Sequence, residues 1–257
     1  MTRRILITGA ASGLGLALAR EYLAGGDDVI LTDLHPEAPP AVRELGGQWS
    51  YLTLDVTNDD DWAAAALAVD RLDILINNAG IAVGGRLDAT SMDTWKRIVD
   101  INLLGVVRGC KTMVPKLGRG GRVVITASAA GLVHAPSMGA YNATKAAAVA
   151  LAETLDAELR HRGISTSVIC PLFFRSGLAD SLSGDDPKAD EAARMLLSKT
   201  PLTSEKVAAR SVRGIQARRV VITPDALSTL TWYTKRFTRI PFLAGTRLIG
   251  RVVERQG

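Results

Sequence analysis

The alternation of short apolar runs with stretches of helical periodicity is the feature that most constrains the fold. The runs are rich in Val and Ile and are continuous, as expected of strands covered on both faces. They lie at residues 5–8, 29–32, 51–54, 74–76, 123–126, 165–169 and 220–223. The helical stretches lie at residues 14–23, 61–69, 92–116, 140–162 and 205–216. This order predicts an α/β fold, a doubly wound parallel sheet of seven strands with helices on both faces.

Length and composition are those of one globular domain. The chain has 257 residues, of which 47% are hydrophobic and 22% are charged. No repeat or linker marks a boundary, so we expect a single domain over 1–257. The N-terminus shows no secretory pattern, and no window approaches the ~18 apolar residues of a membrane span. The two cysteines lie in apolar segments and the three histidines do not cluster. We therefore expect a cytoplasmic protein without a structural metal site.

A glycine-rich segment, residues 8–15, follows the first strand and enters a helix. Gly9 can make the tight turn, Gly13 lets the backbone approach a pyrophosphate, and Gly15 lets the helix pack close to the sheet. The spacing G-x3-G-x-G is not that of other dinucleotide folds, and glycine turns after strands are common. Asp33 strengthens the nucleotide interpretation, because it ends the second strand where an acid receives the adenosine ribose hydroxyls.

Asp33 also favours NAD over NADP as the cofactor. A carboxylate there can accept hydrogen bonds from a free 2′-hydroxyl but repels a 2′-phosphate. No basic residue stands beside it in the sequence. Arg3, Arg4 and Arg43 could still reach a phosphate, which leaves NADP open.

A second set of polar residues predicts a reacting site. Ser128 ends the fifth strand, and Tyr141 and Lys145 follow within a helical stretch. Tyr and Lys at i and i+4 lie on one face of a helix, so their heads can converge. A nearby cation and an oxidised nicotinamide ring should together lower the phenol pKa from its usual ~10 towards neutrality, which makes Tyr141 an acid/base for an alcohol proton. Ser128 can hydrogen-bond the same substrate oxygen.

Together these motifs resemble the short-chain dehydrogenase/reductase family over about residues 4–225. The motifs are the glycine segment, Asp55, Asn77-Asn78-Ala79-Gly80, Ser128, Tyr141 and Lys145. The resemblance implies a Rossmann-type fold and direct hydride transfer between a nicotinamide and the substrate carbon. It implies that Asn102 completes a proton relay with water and Lys145, which also binds the nicotinamide ribose. It further implies a homodimer or homotetramer, with residues 92–116 and 140–162 at the interface.

The resemblance also supplies two sets of expected site residues. The catalytic residues are Asn102, Ser128, Tyr141 and Lys145. The cofactor-binding residues are Gly9, Ser12, Gly13, Leu14, Gly15, Asp33, Asp55, Val56, Asn77, Ala79, Gly80, Tyr141, Lys145, Pro171, Phe174 and Ser176.

The segment after the sixth strand departs from the family pattern. The family has Pro-Gly there and a threonine a few residues on, whereas this chain has Pro171-Leu172 and Ser176. Ser176 can replace the threonine hydroxyl, but Leu172 lacks glycine's backbone freedom. We expect residues 172–200 to form a lid over the substrate. Apolar residues in this lid and in the facing segment 132–138 favour an apolar substrate, such as a steroid, a retinoid-like compound or a long-chain alcohol, although they could equally be ordinary core.

The C-terminal extension, residues 226–257, combines aromatic and basic residues. From Ser204 to Gly257 eleven Lys and Arg face three Asp and Glu, a net charge of +8 within a total of +5. Such a segment suits packing or a subunit contact, which we favour, but also a peripheral contact with a membrane surface. Trp232 and Phe237 are candidate pocket or interface residues.

The sequence therefore favours an NAD-dependent enzyme that interconverts an apolar secondary alcohol and a ketone. One alternative is an NADPH-dependent β-ketoacyl thioester reductase that attracts an acidic carrier protein. Another is a non-catalytic nucleotide-binding sensor. No nucleic-acid-recognition motif is present, so no nucleic-acid partner is expected.

Overall fold

The computed structural model contains a single seven-stranded sheet. It describes residues 2–175, 182, 184–187, 190–191, 194–195 and 200–256. The strands are β1 (Arg4–Thr8), β2 (Asp28–Asp33), β3 (Gln48–Thr53), β4 (Leu72–Asn77), β5 (Leu117–Thr126), β6 (Ser165–Ile169) and β7 (Val221–Ile222). Their order is β3-β2-β1-β4-β5-β6-β7, and all neighbours pair in parallel. The predicted parallel seven-stranded sheet is confirmed.

Helices cover both faces of this sheet. They are α1 (Gly13–Ala24), α2 (Pro40–Arg43), α3 (Asp59–Ala68), α4 (Met92–Val99), α5 (Gly105–Met113), α6 (Ala130–Val133), α7 (Gly139–Leu159), α8 (Ser204–Gln216), α9 (Ala226–Phe237) and α10 (Arg239–Gln256). A π-helical turn, Asp100–Leu104, joins α4 to α5. Helices α1 and α8 pack together on one face, whereas α3, α5 and α7 cover the other. The sheet is therefore doubly wound, as predicted.

The two covered faces explain why the strand sequences are continuously apolar. In β1, Ile5 and Ile7 pack into the cluster under α1 and α8, and Leu6 packs into the cluster under α3, α5 and α7. All three side chains are fully buried. Side chains alternate between faces along a strand, so each face receives an apolar residue only if the run is unbroken.

Two strands begin three or more residues earlier than the apolar runs predict. Strand β3 lies at the edge of the sheet and begins at Gln48, because an edge strand tolerates exposed polar side chains. Strand β5 begins at Leu117 and includes an exposed Gly-Arg-Gly stretch, 118–120, where the register with β4 shifts. Pattern-based prediction misses both segments because neither has a continuous run of buried apolar side chains.

The carboxyl ends of the strands meet at one edge, where the strand order reverses between β1 and β4. Open α/β sheets bind their ligands at such a switch point. Within the described residues, no helix has the length and apolar character needed to cross a bilayer, and no cluster of His, Cys, Asp or Glu could hold a metal ion.

Candidate active site

The glycine segment after β1 forms a tight turn that only small residues allow. Gly9 and Gly13 have φ values of 63° and 54°, in the left-handed region. A Cβ on Gly15 would overlap the Gly9 carbonyl oxygen and come within 2.6 Å of Asn78 Nδ2. The side chain of Ser12, the residue before α1, makes no capping hydrogen bond. The first turn of α1 thus lacks a side-chain acceptor, as suits an anion site at a helix N-terminus.

Asp33 holds this turn from the end of β2. Its carboxylate accepts hydrogen bonds from the backbone N–H groups of Ala11 at 3.0 Å and Leu34 at 2.9 Å. It is half-buried, and a carboxylate has lone pairs beyond these two bonds. The side chain thus stands beside the glycine segment, as the sequence predicts.

The three arginines that might have offset Asp33 have other partners. Arg43 pairs with Glu37 at 2.8 Å. Arg3 and Arg4 lie at the amino end of β1, opposite the edge where β2 ends, and they pair with Asp27 and Asp28.

Asp55 and Val56 shape the turn between β3 and α3. The Asp55 carboxylate accepts hydrogen bonds from the backbone N–H and the hydroxyl of Thr57, both at 2.8 Å. The Val56 carbonyl accepts one from the Trp62 indole at 3.1 Å. Val56 also packs against Gly105, where a Cβ would lie 2.9 Å from its Cγ2. These residues lie at the same sheet edge as the glycine segment.

The two asparagines at the end of β4, Asn77 and Asn78, make different contacts. The Asn77 side chain is buried on the α5 side, where its amide donates to Cys110 Sγ at 3.4 Å. Asn78, which belongs to the predicted motif but not to the expected cofactor-binding residues, donates to the carbonyls of Thr8 and Gly9 and accepts from the Thr126 hydroxyl. It thus ties β1, β4 and β5 together at the site. Its place directly after a central strand, β4, was the sequence feature that could have indicated this role.

The four expected catalytic residues come from three neighbouring elements. Ser128 follows β5, Tyr141 and Lys145 lie one turn apart on α7, and Asn102 lies in the π-helical turn. Tyr141 hydrogen-bonds Ser128, and Lys145 Nζ lies 5.7 Å from the centre of the Tyr141 ring. Lys145 Nζ also donates to the Thr126 carbonyl at 3.0 Å. The side chains thus converge at the carboxyl edge of the sheet.

Gly80 leaves room for this group. A Cβ there would lie 3.0 Å from Asn102 Oδ1 and 3.3 Å from Lys145 Nζ. Ala79, beside it, donates its backbone N–H to the Thr8 hydroxyl at 3.0 Å. The small residues at these positions therefore lie against the catalytic side chains and β1.

Asn102 is fixed by backbone contacts rather than by its catalytic neighbours. Its amide nitrogen donates to the Ile81 carbonyl and its amide oxygen accepts from the Ile81 N–H, each at 2.9 Å. A longer contact of 3.4 Å joins it to the Thr144 hydroxyl. Asn102 is buried, and its π-helical turn is of a kind often found at functional sites.

Burial dominates the electrostatics of the site. It raises the pKa of Tyr141 to about 12, although the hydrogen bond from Ser128 acts to lower it. It lowers the pKa of Lys145 to about 8, with a smaller opposing effect from Cys170. The lysine alone therefore does not bring the phenol pKa towards neutrality, and that part of the expectation depends on the positive charge of the nicotinamide. Removing an ionisable group from water favours its neutral form, and here that outweighs the neighbouring charge.

The segment after β6 contributes residues to two sides of the site. The Pro171 carbonyl accepts hydrogen bonds from the Ala129 N–H at 2.8 Å and from Ser128 Oγ at 3.4 Å. Phe174 is buried in the cluster beneath α1 and α8, and Phe173 packs near Tyr141. Ser176, like much of the expected lid 172–200, lies outside the described residues.

The loop between Ser128 and Tyr141 is held in an unusual conformation. His134 and Ser137 have positive φ values of 58° and 56°, which side chains other than glycine rarely adopt. The Ser137 carbonyl accepts from the Gly85 N–H at 2.8 Å, and Asn142 donates to the Ala135 carbonyl at 2.7 Å. Such strain persists only where surrounding contacts impose it, and it is frequent at functional sites.

Comparison with known proteins agrees with this geometry. The family model of the short chain dehydrogenases matches residues 3–187. Oxidoreductase UcpA of Escherichia coli is 36% identical over 188 residues, which are 69% of this chain and 72% of that protein. Cyclopentanol dehydrogenase of Comamonas testosteroni is 34% identical over 208 residues, 77% of this chain and 82% of that protein.

Solved structures share the fold over nearly the whole chain. A short-chain dehydrogenase/reductase from Burkholderia phymatum in complex with NAD superimposes with a TM-score of 0.82 and 29% identity, covering 99% of this chain and 95% of that one. Relatives also include an NADP-dependent alcohol dehydrogenase. On its fold, its motifs and these matches, the chain belongs to the short-chain dehydrogenase/reductase family, whose members are nicotinamide-dependent oxidoreductases.

Proposed function

We propose that this protein transfers a hydride between NAD and an apolar secondary alcohol or ketone, with Tyr141 as the acid/base. The observation that carries the proposal is the convergence of Ser128, Tyr141, Lys145 and Asn102 at the edge where the glycine segment opens. Each of these four residues has contacts that fix its position. A protein that only binds nucleotide has no need of all four.

The residues at this edge fit a dinucleotide. The turn from Gly9 to Gly15 leaves space that a Cβ would fill, and the uncapped start of α1 suits a pyrophosphate. Asp33 can accept the ribose hydroxyls, and Lys145 has ammonium protons beyond the one bonded to Thr126. Bound NAD supplies the hydride acceptor and a positive charge that acts to lower the phenol pKa.

NAD is the favoured form of the cofactor for two reasons. Asp33 presents negative charge where NADP carries its 2′-phosphate. Arg3, Arg4 and Arg43, which could have offset that charge, are paired with other carboxylates. None of these three arginines is therefore expected to offset a 2′-phosphate.

Tyr141 and Ser128 both act on the substrate oxygen, in different ways. In the reducing direction the phenol donates a proton to that oxygen, and in the oxidising direction it accepts one. Ser128 donates a hydrogen bond to the same oxygen and orients it. The side-chain amide nitrogen and oxygen of Asn102 both bond the Ile81 backbone. We therefore expect the proton relay to run through the backbone carbonyl of Asn102.

Apolar residues around Tyr141 support an apolar substrate. Val83, Ile98 and Leu182 are buried in the same cluster as Tyr141, and Phe173 packs against it. Leu182 and Phe173 belong to the expected lid. We therefore expect cyclic or long-chain secondary alcohols to react before hydrophilic ones.

We also propose that the protein works in the cytoplasm as a homo-oligomer through the helices α4–α5 and α7. Cys110 and Cys170 are buried free thiols, as suits a reducing compartment. Met92 and Leu104 leave apolar side chains exposed on the first of these helical segments. Analytical ultracentrifugation of the wild type and of Leu104→Glu tests the assembly, since the charged residue should shift the protein to monomer.

Replacement of the catalytic tyrosine tests the enzymatic function. Tyr141→Phe removes the phenolic proton and keeps the ring, so turnover with NAD and apolar secondary alcohols should fall by about two to four orders of magnitude. NADH binding, followed by fluorescence, should stay near that of the wild type. Equal turnover by wild type and variant would refute the assignment, and a wild type that binds NADH without any turnover would favour the sensor.

Cofactor choice is tested by titration of the wild type and Asp33→Ala with NADH and NADPH. Tighter binding of NADH, lost in the variant, is the expected result. Tighter binding of NADPH by the wild type would overturn the role of Asp33 and favour the β-ketoacyl thioester reductase. Turnover of a β-ketoacyl thioester with NADPH then provides the direct check of that alternative.

A further inference from the structure

The two C-terminal helices, α9 and α10, expose a row of large apolar side chains. This C-terminal apolar face consists of Leu227, Leu230, Tyr233, Phe237, Ile240 and Leu248, whose exposed fractions range from 47% to 83%. Four of these residues lie on one side of α9, since successive positions three or four apart share a helix face. Large apolar side chains exposed in such number on neighbouring helices mark an interaction site.

The opposite side of α9 is anchored, so the apolar face is presented outwards. Trp232 packs against the core, and Ser228 is fully buried. Lys235 Nζ donates to the Leu132 carbonyl at 2.6 Å and lies 2.7 Å from His134 Nδ1. The rings of Tyr233 and Phe237 stack with their centres 6.0 Å apart. The helix is therefore fixed to the body of the protein by its other side.

The charge of this segment indicates its partner. Residues 226–253 contain five Lys and Arg and no Asp or Glu. Arg239 and Arg247 are exposed; Arg247, seven residues on, lies on the side of α10 that carries Ile240, and Arg239 directly precedes Ile240 at the start of the helix. Basic residues beside exposed aromatic and aliphatic side chains are typical of helices that lie in the surface of an anionic membrane.

A second copy of the chain fits this surface less well. A twofold contact brings the same patch of both subunits together, so the exposed Arg239 and Arg247 of α10 would meet a patch that is also basic and offers no acidic partner. Like charges opposed across an interface disfavour it. An anionic surface satisfies both the apolar and the charged groups.

We propose that the C-terminal apolar face binds the surface of bilayers that contain anionic phospholipid. Phe237 and Ile240 enter the headgroup boundary, and Arg239 and Arg247 contact the lipid phosphates. This contact is peripheral and does not depend on the proposed oxidoreductase activity. It would place the protein where apolar alcohols and ketones concentrate.

Co-sedimentation of the full-length protein with vesicles tests the proposal. The vesicles are phosphatidylcholine alone or mixed with phosphatidylglycerol. We expect binding to the mixed vesicles only, and release by high salt, because salt screens the charges. Phe237→Ser combined with Ile240→Ser should lower the partition at least about tenfold, since it removes two large apolar side chains from the contact. Arg239→Gln combined with Arg247→Gln should also lower it.

Matched variants on other elements serve as controls. Leu67→Ser removes a side chain that is 87% exposed on α3, and Lys111→Gln removes an exposed charge on α5. Both should bind the mixed vesicles like the wild type, and circular dichroism verifies that every variant is folded. Absence of binding, equal binding to neutral vesicles, or equal binding by the Phe237/Ile240 variant would overturn the proposal. A dimer that this variant dissociates, without vesicle binding, would assign the face to a second copy.

Discussion

Lys145 and Tyr141 each have a pKa shifted towards the neutral form by the same cause. Both side chains are buried, and burial lowers the pKa of the amine to about 8 and raises that of the phenol to about 12. The Thr126 carbonyl is a neutral acceptor and cannot fully replace the water that Lys145 loses. The catalytic pair therefore imposes an energetic cost on the fold that other contacts must offset.

This cost makes stability depend on pH. The pKa of Lys145 falls from 10.5 unfolded to about 8 folded. Between these values the unfolded chain binds the extra proton, so the stability contribution of Lys145 rises with pH and is lowest below pH 8. We expect the free energy of unfolding to rise with pH more steeply in the wild type than in Lys145→Gln, by up to about 1 kcal/mol per pH unit. Urea unfolding of both proteins from pH 8 to 10.5 measures it, and parallel curves would contradict the burial of a titrating amine.

Gly80 offers a test of the space around the same lysine. In Gly80→Ala the new Cβ would press on Asn102 Oδ1 and Lys145 Nζ. We expect the displaced lysine to reduce kcat by about tenfold to a hundredfold, because small misplacements of catalytic groups are costly. Steady-state kinetics measures this, with Gly46→Ala as the control, since nothing lies within 4 Å of a Cβ there. An unchanged kcat would show that the site relaxes freely.

Sequence spacing predicts which side chains meet but not how dry their surroundings are. The i, i+4 spacing of Tyr141 and Lys145 correctly places both on one helix face. The spacing does not show that burial raises the Tyr141 pKa in the protein alone, because burial depends on residues distant in the chain, such as Val83 and Leu182. Asn78 is missing from the expected cofactor-binding residues for a related reason, since its partners Thr8 and Thr126 come from two other strands.

At the level of elements, the close approach of α6 to α7 sets the distance between Ser128 and Tyr141. Gly131 lies in α6, and a Cβ there would be 2.5 Å from the Lys145 carbonyl oxygen. Ser128 lies just before the same helix, and its Oγ accepts a hydrogen bond from the Ala130 N–H at 3.1 Å. The position of Ser128 relative to α7 thus depends on a residue without a side chain.

Gly131→Ala should therefore separate the two helices. We expect a loss of about 1–3 kcal/mol in the free energy of unfolding, as for other overpacked contacts, together with a lower kcat. Gly139→Ala on α7 is the matched control, because a Cβ there meets nothing within 4 Å. Denaturant unfolding and kinetics of both variants decide the matter. Equal stability of the two would mean that α6 shifts without cost.

The elements that sequence patterns predict best are those buried on both sides. The runs in β1, β2, β4 and β6 were recognised because apolar residues fill both faces. The π-helical turn at Asp100–Leu104 was not predicted, and residues 92–116 were taken as one helix. A π-helical turn adds one residue to a helix without a distinctive composition, so no side-chain pattern marks it.

Across the whole molecule, the C-terminal extension reaches back to the active-site loop. Lys235 on α9 bonds the carbonyl of Leu132 and the ring of His134, in the segment between Ser128 and Tyr141. Burial lowers the pKa of His134, with a further lowering from Lys235, which keeps the ring neutral and able to accept that bond. The far end of the chain is thereby connected to the wall of the substrate site.

Lys235→Met should make the segment around Leu132 and His134 more mobile, because it removes the two hydrogen bonds that Lys235 makes there. We expect KM for the apolar substrate to rise several-fold with kcat nearly unchanged, and a stability loss of about 1 kcal/mol for the lost hydrogen bonds. Arg236→Met, at the next position and exposed, is the control and should leave both constants as they are. Steady-state kinetics separates the two effects. An equal change in both variants would point to the charge of the segment instead of the contact.

The π-helical turn around Asn102 has a genetic consequence. It contains one more residue than a regular helix needs, so it corresponds to a single inserted codon. Loss of one codon there would restore a continuous helix from α4 to α5, and the surfaces that pack on the sheet would survive. Asn102 would then no longer face Ile81 and the catalytic lysine. We therefore expect a one-residue deletion in this turn to leave a folded nucleotide-binding protein that has lost the proposed activity.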